Sequence, residues 1–204
     1  MITPEFLQSL KAGLRYWQAQ TESNADDVIR RLDAEQPNIY RLVQYGRKVP
    51  ELRRDTAVLA LNAFYLVERK GYWLEWLSVF SDAANDWLKD EGDRPLKVQL
   101  LNRLGYLYQS ARQLDEAVAT HTQAEQIATD LQDTELLNLT WYYLCIDYRH
   151  CRQYEQAEKY GLLALTGFKG RSVHEKWYGF TLNELGLIAY HRGDLAQARQ
   201  KLEK

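Results

Sequence analysis

Cys145, His150 and Cys151 fall within seven residues of one another, and thiolates and imidazoles are the usual ligands of zinc. A structural zinc site brings such ligands to one point, most often from two cysteines spaced two to four residues apart. Here the cysteines are six apart. On a helix that spacing turns them about 240° from each other, too far to share a metal or to form a disulfide. Cys145 therefore reads as a small core residue and Cys151 as an ordinary helical one. Two reduced thiols point to a reducing, cytoplasmic setting. A phosphate loop needs glycine, four residues, then Gly-Lys-Ser/Thr. The stretch GLLALTGFKGRS, residues 161–172, comes nearest and fails in spacing and order. Its Gly167 and Gly170 read as a flexible loop between helices. His121, His174 and His191 have no serine, cysteine or carboxylate arranged with them as a catalytic set, and are expected on the surface. Asp26, Asp27 and Asp33 lie at and beyond a helix start, where negative charge suits the helix dipole. These residues point to no catalytic group, no metal and no cofactor, and the chain is expected not to be an enzyme.

The composition narrows the partners. The formal net charge is −2 over 204 residues, and no block of Lys and Arg stands out. A nucleic-acid surface needs a concentrated basic face, so no direct nucleic-acid partner is expected. The longest apolar stretch, Ala57 to Val67, contains Asn62 and falls short of the roughly 20 residues that span a bilayer. The start, MITPEFLQSLKAG, has no basic segment followed by an apolar core. No membrane partner is expected.

The elements that would position any site come from an internal repeat. A short motif recurs as GYWLEW from Gly71, RQLDEA from Arg112, RQYEQA from Arg152 and GDLAQA from Gly193. Its last residues are Trp76, Ala117, Ala157 and Ala198, so the steps are 117−76=41, 157−117=40 and 198−157=41. Each motif is preceded and followed by a segment of helical periodicity, which predicts a helical hairpin around each turn. Pro50 and Pro95 suit first helical turns. Gly71, Gly92 and Gly193 suit the left-handed residue after a helix end. Gly105, Ala117 and Ala124 in one hairpin, Cys145, Ala157 and Ala164 in the next, and Gly186 and Ala198 in the last supply small side chains. Antiparallel helices about 9 Å apart require them. The first hairpin departs, with Phe64 and Trp76 in the small positions. The fold class that follows is all-α: a right-handed superhelical array of antiparallel hairpins with a period of 40–41 residues. Residues 1–49 form an N-terminal helical segment and 50–204 form four hairpins, the last incomplete.

Leu101, Leu104, Gly105, Tyr108, Ala117 and Ala124 carry a resemblance to the tetratricopeptide repeat. It continues through Trp141, Leu144, Tyr148, Tyr154, Ala157 and Ala164, then Leu182, Leu185, Gly186, Leu195 and Ala198. The period exceeds the usual 34 or so residues, and the closing proline is absent from every unit. A second resemblance rests on Leu32, Glu35, Asn38, Ile39, Leu42, Gly71, Trp73, Glu75, Phe80 and Trp87. It is to the segment that joins the nucleotide-binding region of NB-ARC-type signal-transduction ATPases, including bacterial transcription activators, to a helical-repeat arm; Pro37 departs from it. These resemblances imply a non-enzymatic binding arm of a larger regulator. The alternative is a stand-alone repeat scaffold or adaptor.

In tetratricopeptide arrays the first helix of each hairpin lines a concave face. Counting from the small position of each first helix places Tyr65, Arg69, Asn102, Tyr106, Gln109, Tyr142, Arg149, Asn183 and Tyr190 on it. Tyr, Asn and Arg form a usual binding mixture. The expected partner is a protein or peptide, with a small effector as the alternative, and Arg69 and Arg149 could hold a carboxylate. The last hairpin stops early in its second helix, so the parent chain is expected to continue past Lys204.

Overall fold

The computed structural model describes residues 3–21, 26–170 and 175–203, with the backbone alone for 26 and 27. The described residues hold twelve α-helices and no strand, so the all-α class is borne out. His174, the side chains of Asp26 and Asp27, and Lys204 lie outside the described set. The chain forms two compact units, Met1–Leu107 and Tyr108–Lys204.

The first unit holds α1 (Pro4–Gln20), α2 (Asp26–Ala34), α3 (Gln36–Gly46), α4 (Arg53–Asn62), α5 (Phe64–Lys70) and α6 (Trp73–Asp82), and most of α7 (Arg94–Ser110). Pro37 sits in the first turn of α3, where its missing N–H costs nothing. α1 packs on α3 and α4, and α2 on α5. Leu10, Leu14, Leu32, Ile39 and Val43 are buried there. Polar groups tie the layers: Gln18 donates to the Asp55 carbonyl at 2.7 Å, and Tyr40 to the Glu75 carbonyl at 3.1 Å. Arg47 pairs with Asp82. The single helix expected before Gly71 is broken at Ala63, although the Ala63 and Val67 amides still bond four residues back.

Phe64 and Trp76, in the positions that hold small residues elsewhere, are buried in an aromatic cluster. The Phe64 and Phe80 rings meet edge-on at 5.8 Å, and Tyr40 lies 5.6 Å from Trp76. Five alanines, Ala57, Ala60, Ala63, Ala83 and Ala84, are fully buried around this bulk. Trp76 Nε1 has no hydrogen-bond partner, a cost of about 1–3 kcal/mol for filling this position with an indole. After Asp82 the chain widens into a π-helical turn, Ala83–Trp87.

The second unit holds α8 (Leu114–Asp130), α9 (Thr134–His150), α10 (Tyr154–Phe168), α11 (Glu175–His191) and α12 (Leu195–Leu202). Each helix packs on its neighbour in sequence, and α9 also touches α11. Short turns between packed helices make the pairs antiparallel. The expected small residues are where the helices meet. Cys145 and Ala157 share a core with Leu185 and Ile188. A Cβ on Gly186 would stand 3.5 Å from the Ala198 carbonyl oxygen and 2.8 Å from Leu202. Gly167 corrects an expectation. It lies inside α10 and not in a flexible loop, and it is glycine because a Cβ there would strike the buried Asn138 amide at about 2 Å.

The motif that set the register turns out to be the helix-ending turn itself. Gly71, Arg112, Arg152 and Gly193 have φ of 77°, 63°, 60° and 83°. Their steps are 112−71=41, 152−112=40 and 193−152=41. After α7 the Gln113 N–H bonds the Tyr108 carbonyl at 2.9 Å and the Arg112 N–H bonds the Gln109 carbonyl at 3.0 Å. The same two bonds recur at Gln153 and Arg152, and at Asp194 and Gly193, which is the Schellman closure of a helix. Gln132 ends α8 in the same way with φ 55°. Gly92, expected to be left-handed, is instead in a 3-10 turn, Glu91–Asp93, that leads into α7.

Left-handed backbone costs a non-glycine residue about 1–2 kcal/mol, and glycine returns about half of that as unfolded-chain entropy. Arg152→Gly should therefore raise stability by about 0.5–1 kcal/mol, and Gly193→Ala should lower it by about 1 kcal/mol. Urea unfolding with an unchanged m-value measures both. Equal midpoints for Arg152→Gly and the parent would show that the turn carries no strain.

Candidate functional site

The face expected to bind is divided between the units, and each part is built differently. In the first unit, Arg69 is exposed and Tyr65 half-buried. Tyr106 is half-buried, its ring edge-on to Phe64 at 5.5 Å. Arg103 lies over the same Phe64 ring at 4.6 Å. Asn102 departs from the expected exposure: it is 1 % exposed and belongs to the interior of α7.

In the second unit, Asn183 and Tyr190 are exposed, while Gln109, Tyr142 and Arg149 are half-buried and held in place. Gln109 donates to Asp147 Oδ1 at 2.7 Å. Arg149 donates from Nε to Glu184 Oε2 at 2.7 Å, with the two side chains only 14 % and 11 % exposed. Arg149 also donates to His150 Nε2 at 3.4 Å. Burial first, then the charges of Arg149 and Arg112, hold the His150 imidazole below its ordinary 6.5, so it is neutral at pH 7.

Beneath these residues lies a sealed polar group. His121 Nδ1 and Asp147 Oδ2 stand 2.5 Å apart and both side chains are fully buried. The His121 ring stacks on Tyr143 at 5.0 Å with a 4° tilt. This corrects the expected surface position of His121. The signal was present in the sequence: His121 shares the inward stripe of α8 with Ala117, Ala124 and Ala128. Asp147 occupies the position that Leu107 holds 40 residues before and Ile188 holds 41 after. His191 is exposed, as expected, and stacks on Tyr154 at 5.8 Å.

Two aromatic residues that the counting missed join the surface. Trp177 meets Tyr142 edge-on at 5.3 Å and Phe180 at 5.9 Å, and Phe180 is 43 % exposed. Phe180 lies three residues before Asn183, so extending the same helical stripe backward finds it; Trp177, six before, is turned about 120° from Asn183 and no stripe on α11 shows it. On the opposite side of α9, Glu125 accepts from Trp141 Nε1 at 2.9 Å and from Tyr160 at 3.3 Å. Cys145 is fully buried and burial pushes its thiol up, so it is no nucleophile. Among the described residues, no three His, Cys, Asp or Glu side chains converge, and no helix is long and apolar enough to cross a membrane.

Removing one partner from a buried, hydrogen-bonded polar pair leaves the other unsatisfied, at about 1–3 kcal/mol or more. His121→Leu should lose that much stability in urea unfolding, and adding Asp147→Leu should recover a large part. Stability lost without recovery would mean that packing, not charge, is what His121 supplies. His150 adds a pH dependence. Its folded form resists the proton that the unfolded chain accepts, so its contribution is present above 6.5 and declines as pH falls below that value. The loss of stability between about pH 7 and pH 5 should be smaller in His150→Gln than in the parent.

No protein-family model matches the chain, and no curated protein matches it significantly. Among solved structures the chain is similar to the crystal structure of BtubC (BKLC) from P. vanneervenii. The TM-score is 0.60 and the identity 20%, over 95% of this chain and 71% of that one. At this identity the likeness concerns the helical fold alone.

Proposed function

We propose that this chain is a non-enzymatic binding module, a right-handed tetratricopeptide-like array whose first helices present a surface to a protein or peptide. The observation that carries the reading is the aromatic run along α9 and α11: half-buried Tyr142 and Trp177 in contact with exposed Phe180, and exposed Tyr190 beyond. Tyrosine and tryptophan offer large contact area for few rotatable bonds. The titratable groups that could serve chemistry are spent on structure: His121 on Asp147, and Arg149 on Glu184. The turns at Gly71, Arg112, Arg152 and Gly193 support a true repeat.

Within that reading, the sensor or interaction arm of a signal-transduction ATPase in the cytoplasm, controlling transcription, is the finer proposal. It draws on the resemblance through Glu35, Gly71, Glu75 and Trp87. The packing of α1 on α3 and α4 favours the second reading, a stand-alone scaffold, because it makes residues 1–49 a layer of the first unit and not a linker. The gene upstream of Met1 separates them: a phosphate loop followed by a winged-helix segment supports the arm.

Calorimetric titration with magnesium-ATP should give no saturable heat, and micromolar binding by this chain would overturn the non-enzymatic reading. Tyr190 is 59 % exposed, so Tyr190→Ala should leave stability within about 0.5 kcal/mol. The same change should weaken a groove-bound partner by about 2 kcal/mol.

A further inference from the structure

The second unit says what kind of ligand its surface suits, if the groove reading above holds. On α11, Lys176, Phe180, Asn183, Leu187 and Tyr190 fall within an arc of about 80° at 100° per residue. On α9, Tyr142, Ile146 and Arg149 share an arc of about 60°, with Ile146 buried and Tyr142 and Arg149 half-buried. The two helices touch, and Trp177 bridges the stripes from Tyr142 to Phe180. The stripes are therefore continuous, and apolar or aromatic for most of their length.

Arg149 and Asp147, on α9, are matched from within. Arg149 is nearly buried against Glu184, with its Nε–H bonded to that carboxylate and one Nη2–H turned toward a neutral His150. Asp147 is closed by His121 and Gln109. Lys176, at the start of α11, sits 5.4 Å over the Phe180 ring. A ligand carboxylate that took the Arg149 Nε edge would displace Glu184 and leave a nearly buried carboxylate unpaired. The edge a carboxylate clamp at Arg149 would use is thus already held by Glu184. We infer that the α9–α11 face takes an uncharged peptide segment presenting aromatic or aliphatic side chains, with Trp177 and Phe180 as specificity-determining contacts.

Three pools of fluorescent, end-blocked peptides of about ten residues test this by anisotropy: one carrying Phe and Leu, one Asp and Glu, one Lys and Arg, each on a Gly-Ser background. The apolar pool should bind at least about tenfold tighter than the acidic pool, and Phe180→Ala should weaken it about tenfold or more. Glu184→Gln should release Arg149 and raise the affinity of the acidic pool. Acidic peptides that bind best to the parent chain, and lose binding in Arg149→Gln, would overturn this inference and leave the groove reading standing. Apolar binding unchanged in Phe180→Ala would overturn it as well. If no pool exceeds the Gly-Ser background, the groove reading itself falls.

Discussion

Two helices can lie side by side only where side chains are small enough to let their axes approach. In the second unit that demand falls on Cys145, Ala157, Gly161, Gly186 and Ala198, all buried between neighbouring helices. The left-handed turn after each first helix sets how far the chain runs before the demand recurs. In the second unit the turn returns after 40 and then 41 residues, at Arg112, Arg152 and Gly193, and the small residues return with it.

Position by position, the same register shows where charge has been introduced into an apolar pattern. Asp147 replaces a Leu107-like residue and is met by His121 and Gln109, with Tyr143 stacked on the His121 ring. Buried pairs of this sort contribute little net stability compared with apolar packing, but they hold side chains in one arrangement. Gln109 and Arg149 are fixed by the layer beneath them. On the proposed reading the aromatic residues beside them meet the partner, and such a surface would select by shape and apolar area.

Much of this was legible in the sequence. The turn motif predicts the hairpins, and the small residues Cys145, Ala157 and Ala198 mark the contact points in the sequence itself. What escaped detection involved partners distant in sequence. His121 looked like a surface residue because Asp147, 26 residues away, is not visible as its partner in a linear motif. Arg149 looked available for a ligand because Glu184, 35 residues on, is likewise hidden. Gly167 looked like a loop because only the folded position of Asn138 shows why no Cβ fits. The first unit resisted for a different reason: Phe64 and Trp76 break the small-residue rule, and five buried alanines make room for them.

The most direct test of the close-approach account is a double-mutant cycle between α10 and α11. A Cβ on Gly161 would stand 2.7 Å from Leu185 Cδ2 and 3.0 Å from Cys145 Sγ. Helix propensity alone favours Gly161→Ala by about 1 kcal/mol. The account predicts that the crowded interface cancels or reverses this gain in the parent chain. In a Leu185→Ala background the gain returns, a coupling of about 1 kcal/mol or more. Equal effects of Gly161→Ala in both backgrounds, within about 0.5 kcal/mol, would contradict it.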